Sequence, residues 1–250
     1  MAFMHEYENA TSPVTVDRRE GPYGELALRR RGERYEIIAN GCFLMDTSDG
    51  RSERLLVDAA LGALPPGRPE PSLLIGGLGV GFSLARAVRE PRWGRIVVVE
   101  REAAVVEWHR STSLREAQTI RGGGRATAGY LAPFSERGLD DPRVEVVEAD
   151  LVAYVQNQNS TDSYDAMCLD IDNGPDWTVT EGNNALYGTA GLAACGARLT
   201  TGGVLAVWSA QPSVTFEKTL STAGYTQVRT IEIPVKRGVP DAVHLAIKPA

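Results

Sequence analysis

Between the apolar run Ser72–Ile75 and the stretch Phe82–Arg89 lies Gly76-Gly77-Leu78-Gly79-Val80-Gly81. Glycine turns the chain sharply and puts no Cβ between backbone and ligand, so such a turn between a strand and a helix suits a nucleotide or another anion. Glu100 closes the next apolar run, about twenty residues on, where a carboxylate can accept from both hydroxyls of a ribose. Asp150 ends Val147-Glu148-Ala149-Asp150; there a carboxylate can accept from an adenine amino group or cap the helix that follows. Asp170–Trp177 places Asp170, Asp172 and Asp176 after the run Ala166–Leu169. One carboxylate there can pair with a ligand ammonium, and another can take a proton from an acceptor amine or hydroxyl. Asp170 and Asp172 are the expected catalytic residues, with Asp170 also touching the ligand. Asn173, Trp177 and Tyr187 are the expected substrate pocket, the Trp177 indole offering its face to a cation. A local turn built on Asn173 and Gly174 accounts for part of the same stretch without any ligand.

The glycine spacing bears on which nucleotide fits. A dinucleotide site carries G-x-G-x-x-G to seat a pyrophosphate, whereas Gly77-Leu78-Gly79-Val80-Gly81 reads G-x-G-x-G. That turn suits the nucleoside-plus-amino-acid shape of S-adenosylmethionine. A dinucleotide oxidoreductase would also need a hydride-handling residue, and the chain offers none. The histidines His5, His109 and His244 show no partner in the sequence, no triad spacing and no metal spacing. Cys42, Cys168 and Cys195 are too widely separated for a metal site and read as buried thiols. No metal is expected.

These residues need elements to hold them. From Ser72 onward, apolar strands alternate with helices: Ser72–Ile75, Phe82–Arg89, Arg95–Glu100, Glu102–Arg110, Val144–Val147, Asp150–Gln156, Ala166–Asp170, Ala185–Ala197 and Gly203–Trp208. Continuous apolar strands between helices predict a parallel sheet covered on both faces. After the helix Ser213–Ala223, the strands Gln227–Ile233 and Ala242–Lys248 are joined by too few residues for a helical crossover. They predict a hairpin, and so an antiparallel last strand. Upstream, residues 1–20 read as a loose lead-in. Alternation around Leu26, Ile37 and Phe43, with turns at Gly32 and Asn40-Gly41, predicts short antiparallel strands. Ser52–Leu64 reads as a helix. The expected class is α/β, a Rossmann-like seven-stranded methyltransferase sheet with an antiparallel last strand, preceded by a small N-terminal β unit. The expected division is 1–50 for the tail and β unit and 51–250 for the ligand-binding domain, with an insertion at about 111–141 that is either a lid or a loose loop.

Of the 250 residues, 43% are hydrophobic and 23% charged, and the net charge is −6. An acidic chain without a basic stripe argues against nucleic acid as a partner. No run reaches a membrane-spanning length and the first residues do not read as a signal peptide, so the expectation is a cytoplasmic protein without a membrane partner. The short N-terminal strands present an edge that could pair in a homodimer.

Four segments in order, Leu73-Leu74-Ile75-Gly76-Gly77-Leu78-Gly79, Val97-Val98-Val99-Glu100, Asp141–Asp150 and Tyr164-Asp165-Ala166-Met167-Cys168-Leu169-Asp170, resemble the successive motifs of the spermidine synthase family, the polyamine aminopropyltransferases and their methyltransferase-like relatives. The resemblance spans roughly residues 22–249. It implies that Gly76, Gly77, Gly79 and Gly81 wrap the amino-acid and ribose part of the ligand, that Glu100 holds the ribose, and that Asp150 with the Leu151 backbone meets the adenine. It also implies that Asp170 receives the acceptor amine. The chain departs from the family in three places. The Asp of the family's glycine turn falls at Gly79, its Tyr-His-Glu signature is replaced around Arg51-Ser52-Glu53-Arg54, and its D-S-x-D-P reads Asp170-Ile171-Asp172-Asn173-Gly174-Pro175. Holding a polycation without paired carboxylates is costly.

The expected function is therefore an S-adenosylmethionine-dependent alkyl transferase acting on a small-molecule acceptor, most simply a methyltransferase. The alternatives are aminopropyl transfer from decarboxylated S-adenosylmethionine, cyclisation of S-adenosylmethionine itself, and a non-catalytic nucleoside-binding homologue.

Overall fold

The computed structural model describes residues 12–110, 129–178, 180–235 and 238–249. The chain divides into two compact units, Met1–Asp49 and Gly50–Ala250.

The first unit is an antiparallel sheet in the order β1-β2-β3-β4, with β1 at Val14–Gly21, β2 at Gly24–Arg31, β3 at Arg34–Ala39 and β4 at Cys42–Asp46. Asn40 (φ 50°) and Gly41 (φ 79°) form the turn between β3 and β4, both left-handed as a two-residue hairpin of this twist requires. Leu28 and Ile37 face each other across β2 and β3 and are buried. Of the loose lead-in expected over residues 1–20, residues 1–11 lie outside the described residues, and β1 corrects the expectation from Val14 onward. Its polar sequence hides a strand because Asp17 is buried beside the Arg19 guanidinium, 2.9 Å away. A bulge between Thr15 and Asp17 also shifts the alternation.

The second unit carries a seven-stranded sheet in the order β10-β11-β9-β8-β5-β6-β7. Its strands are β5 (Ser72–Gly76), β6 (Arg95–Glu100), β7 (Val144–Glu148), β8 (Tyr164–Leu169), β9 (Leu199–Ser209), β10 (Thr226–Ile233) and β11 (Asp241–Ile247). The strands β5 to β9 are mutually parallel, and β11 runs against both of its neighbours. Leu73–Ile75, Ile96–Val98, Ala166–Leu169 and Val204–Val207 are all fully buried, which is why these strands read as unbroken apolar runs. The helices are α1 (Arg51–Ala63), α2 (Phe82–Arg89), α3 (Ala103–His109), α4 (Leu151–Gln156), α5 (Asn184–Tyr187), α6 (Thr189–Arg198) and α7 (Val214–Thr222).

The single helix expected over Ala185–Ala197 is two. Gly188 is extended (φ −79°, ψ 167°) and separates α5 from α6. The break brings backbone so close to Gly191 that a Cβ there would lie 2.2 Å from the Ala185 carbonyl. Part of the expected insertion, 111–128, lies outside the described residues. The remainder, 129–141, is a packed series of turns with Leu131 and Ser135 fully buried. Among the described residues, no helix is long and apolar enough to cross a membrane.

Candidate functional site

The parallel order puts the ends of β5, β6, β7 and β8 at one edge of the sheet, the edge where open α/β sheets bind ligands. At the end of β5 the glycine turn departs with Gly77, Gly79 and Gly81 all left-handed (φ 89°, 48° and 95°). Side chains rarely adopt that backbone, which accounts for the alternation of glycine with Leu78 and Val80. The Gly76 carbonyl accepts from the Asp170 N–H (2.8 Å), and the Gly77 N–H donates to the Val99 carbonyl (2.9 Å). A Cβ at Gly77 would stand 2.4 Å from the Asp170 carbonyl oxygen, and one at Gly76 would stand 2.5 Å from Leu151 Cδ2. Gly76 and Gly77 are thus required by the protein's own packing as well as by any ligand.

Glu100, at the end of β6, is only 8% exposed. Its carboxylate accepts from the Leu78 N–H (2.8 Å) and the Glu102 N–H (2.9 Å), fastening the glycine turn to β6. A carboxylate has about four lone-pair directions, so these two bonds leave acceptor capacity for the hydroxyls of a ribose. Within the turn, the Gly79 and Val80 N–H groups find no acceptor among the described residues. Spare acceptors on Glu100 beside spare donors on the turn fit the polar outline of an adenosyl ligand. Glu102 is also buried, and burial raises its carboxyl pKa above the usual range against the opposing Arg101.

Asp150 caps α4, its Oδ1 accepting from the Ala153 N–H at 2.9 Å, and Leu151 behind it is buried. At the end of β8, Asp170 keeps part of its surface exposed. Its carboxyl nevertheless sits among packed groups, and burial pushes its pKa up to about 6 while the Ser83 hydroxyl, 3.3 Å away, works the other way. Asp172 is tied into the loop that follows. Its Oδ1 accepts from the Asn173 N–H (2.9 Å), and its Oδ2 accepts from the Thr180 N–H (3.2 Å) and Asn183 Nδ2 (2.9 Å). This makes Asp172 the brace of the 173–183 loop, a role that spacing alone does not show. The Asn173 carbonyl in turn accepts from the Ala210 N–H at 3.0 Å, linking the loop to the end of β9.

Tyr187 is buried, edge-on to Phe216 at 5.9 Å. Burial, followed by the charges of Asp172 and Asp170, raises its phenol pKa far above the ordinary value, so the hydroxyl stays protonated. Trp177 differs from the other expected pocket residues in being 66% exposed. Asp176 accepts from the Ser213 hydroxyl at 2.9 Å, at the start of α7.

Two histidines that show no partner in the sequence have one here. His109, 2% exposed, lies against the glycine turn with Nε2 2.9 Å from the Gly79 carbonyl and Nδ1 3.0 Å from Ser135 Oγ. His244, fully buried on β11, has Nδ1 2.8 Å from Thr230 Oγ1 and packs edge-on to Phe216 at 5.3 Å. Ser135 is 26 residues from His109, and the intervening stretch carries no periodicity. The one available signal was a histidine at the end of an apolar helix, a position where burial demands hydrogen-bond partners.

No family model matches the chain. Among curated proteins, it is 29% identical over 214 residues to polyamine aminopropyltransferases of two Mycobacterium tuberculosis strains and of Mycobacterium bovis, covering 83% of this chain and 36% of each relative. The chain thus spans about a third of the length of the curated relatives it matches. Among solved structures, a spermidine synthase in complex with the transition state analogue AdoDATO superposes with a TM-score of 0.66 at 16% identity, covering 94% of this chain and 72% of that one. The spermidine synthase of Thermotoga maritima gives the same TM-score and coverage at 14% identity. The chain is thus similar in sequence, over most of its length, to polyamine aminopropyltransferases, and its fold, a small antiparallel sheet ahead of a seven-stranded sheet closed by an antiparallel strand, is similar to that of spermidine synthases.

Proposed function

We propose that the chain is an alkyl transferase that uses an adenosyl sulfonium, transferring aminopropyl from decarboxylated S-adenosylmethionine to an amine acceptor. The observation that carries this reading is the gathering, at one sheet edge, of a glycine turn with open N–H donors, a ribose-competent Glu100 and a half-buried Asp170 with a raised pKa. The similarity to polyamine aminopropyltransferases supplies the group transferred. The bound sulfonium supplies an electrophilic carbon; the chain's residues place and deprotonate the acceptor. Glu100 orients the ribose, Asp150 meets the adenine beside the Leu151 backbone, and Gly76, Gly77, Gly79 and Gly81 let the backbone approach. Asp170, ionised above about pH 6, accepts a proton from the acceptor amine, and its raised pKa makes it a stronger base than an exposed carboxylate. Asp172 and Asn173 tie the following loop to itself and to the end of β9, and Tyr187 keeps a protonated hydroxyl within the field of both carboxylates.

A second reading, methyl transfer from S-adenosylmethionine itself, is favoured by one observation: the glycine turn contains no carboxylate to pair with an aminopropyl ammonium. Calorimetric titration with S-adenosylmethionine, its decarboxylated form and methylthioadenosine, followed by product analysis with amine acceptors, separates the two. Preference for the decarboxylated form and an alkylated amine support aminopropyl transfer. Preference for the carboxylated form moves the conclusion to methyl transfer, and no binding by folded protein refutes both.

A further inference from the structure

We propose that His109 is a positioning residue, which holds the Gly79–Val80 peptide unit with its carbonyl turned into the protein and its N–H presented to the adenosyl ligand. The proposal rests on the reading of the glycine turn as that ligand's cradle. In a trans peptide the carbonyl and the N–H point in opposite directions, so fixing one aims the other. The Gly79 carbonyl lies 2.9 Å from His109 Nε2, and the Val80 N–H across the same peptide finds no acceptor among the described residues.

The brace is held from behind. A carbonyl can only accept, so the contact to Gly79 requires the proton on Nε2 and leaves Nδ1 as an acceptor in the neutral ring. Ser135 Oγ, fully buried, lies 3.0 Å from Nδ1 and 3.2 Å from the Ala132 carbonyl, and with the ring proton on Nε2 its one hydrogen is shared between these two acceptors. The segment bearing Ser135 is pinned to α3, because the Leu131 N–H donates to the Trp108 carbonyl at 2.9 Å. The fit is close on the turn side as well: a Cβ at Gly81 would stand 2.6 Å from both His109 Cε1 and Ser135 Cβ. Burial, opposed by the Gly79 and Leu131 carbonyls, lowers the imidazole pKa to about 4, so the ring stays neutral at ordinary pH. It supplies a directed donor without a charge next to a cationic ligand.

Two variants test the assignment. H109Q keeps an N–H donor within reach of the Gly79 carbonyl, whereas H109L fills the space and donates nothing. Both are titrated with methylthioadenosine, and hydrogen exchange is followed at the Leu78 and Gly81 amides of the unliganded proteins. Leaving a buried carbonyl unpaired predicts about tenfold weaker binding for H109L and faster exchange at both amides, with H109Q within about threefold of wild type. Equal binding and exchange in H109L and wild type, or equal losses in H109L and H109Q, would overturn the proposal. If the wild type itself does not bind methylthioadenosine, the reading of the site fails and takes the ligand part of the proposal with it. The exchange comparison then still decides whether His109 holds the turn.

Discussion

Replacing Asp170 with asparagine separates what its buried carboxyl does for stability from what it does for chemistry. The folded protein raises this carboxyl from 3.8 to about 6, chiefly by burial. Between about pH 4 and pH 6 the folded state therefore binds more protons than the unfolded state, and this group's contribution to stability falls as pH rises through that window. A difference of this size corresponds to about 3 kcal/mol when the group is fully ionised, an upper bound because Asp170 keeps some contact with solvent. The asparagine variant keeps an acceptor for the Ser83 hydroxyl, 3.3 Å away, but has nothing to ionise. Denaturant unfolding of both proteins at a series of pH values from 4 to 7.5 reads the effect directly. The variant gains on the wild type as pH rises, by at most about 3 kcal/mol near pH 7, and the gap closes below about pH 4. In the same variant methylthioadenosine still binds and alkyl transfer is lost, while wild-type transfer rises with pH through about 6. A difference in stability that stays constant across the range would refute the claim that Asp170 is held in a setting hostile to its charge.

Other perturbations probe the turn and the loop. Gly81→Ala forces a side chain into a left-handed backbone (φ 95°) and against His109 and Ser135. It should cost about 2–4 kcal/mol, read as a fall in melting temperature of roughly 5–15 °C. Glu100→Gln leaves one of the two N–H groups now bonded to the carboxylate facing an amide donor. Adenosyl-ligand affinity is expected to fall about tenfold or more, and unchanged affinity would remove Glu100 from the ribose site. Asp172→Ala removes the acceptor shared by Asn173, Thr180 and Asn183, so protease cleavage within 173–183 should quicken while the sheet core melts within about 2 kcal/mol of wild type.

Much of this was legible beforehand because parallel strands buried on both faces must be continuously apolar. Leu73–Ile75 and Ile96–Val98 announce themselves, and the residues at their carboxyl ends fall on the ligand edge by topology alone. Strand β1 was not legible because its inward-facing residue is Asp17, made tolerable by Arg19. The break at Gly188 was hidden because Ala185–Ala197 has helical composition throughout, and only close packing at Gly191 shows why the chain must turn. The sequence also suggests Asp172 as a base and Trp177 as a wall; it does not show that Asp172 accepts from three donors or that Trp177 is largely exposed.

The amino-acid sequence by itself determined the α/β class, the reversed last strand and the identity of the turn and strand-end residues, because periodicity, glycine placement and connection length are local properties. Only the tertiary structure decided how polar groups distant along the chain are shared out. It set His109 between Gly79 and Ser135, gave both oxygens of Glu100 their backbone donors, and packed Asp170 until its pKa rose. The physical reason is that a hydrogen bond or a desolvation cost depends on which atoms meet in space, and that is set by the way the strands and turns pack together.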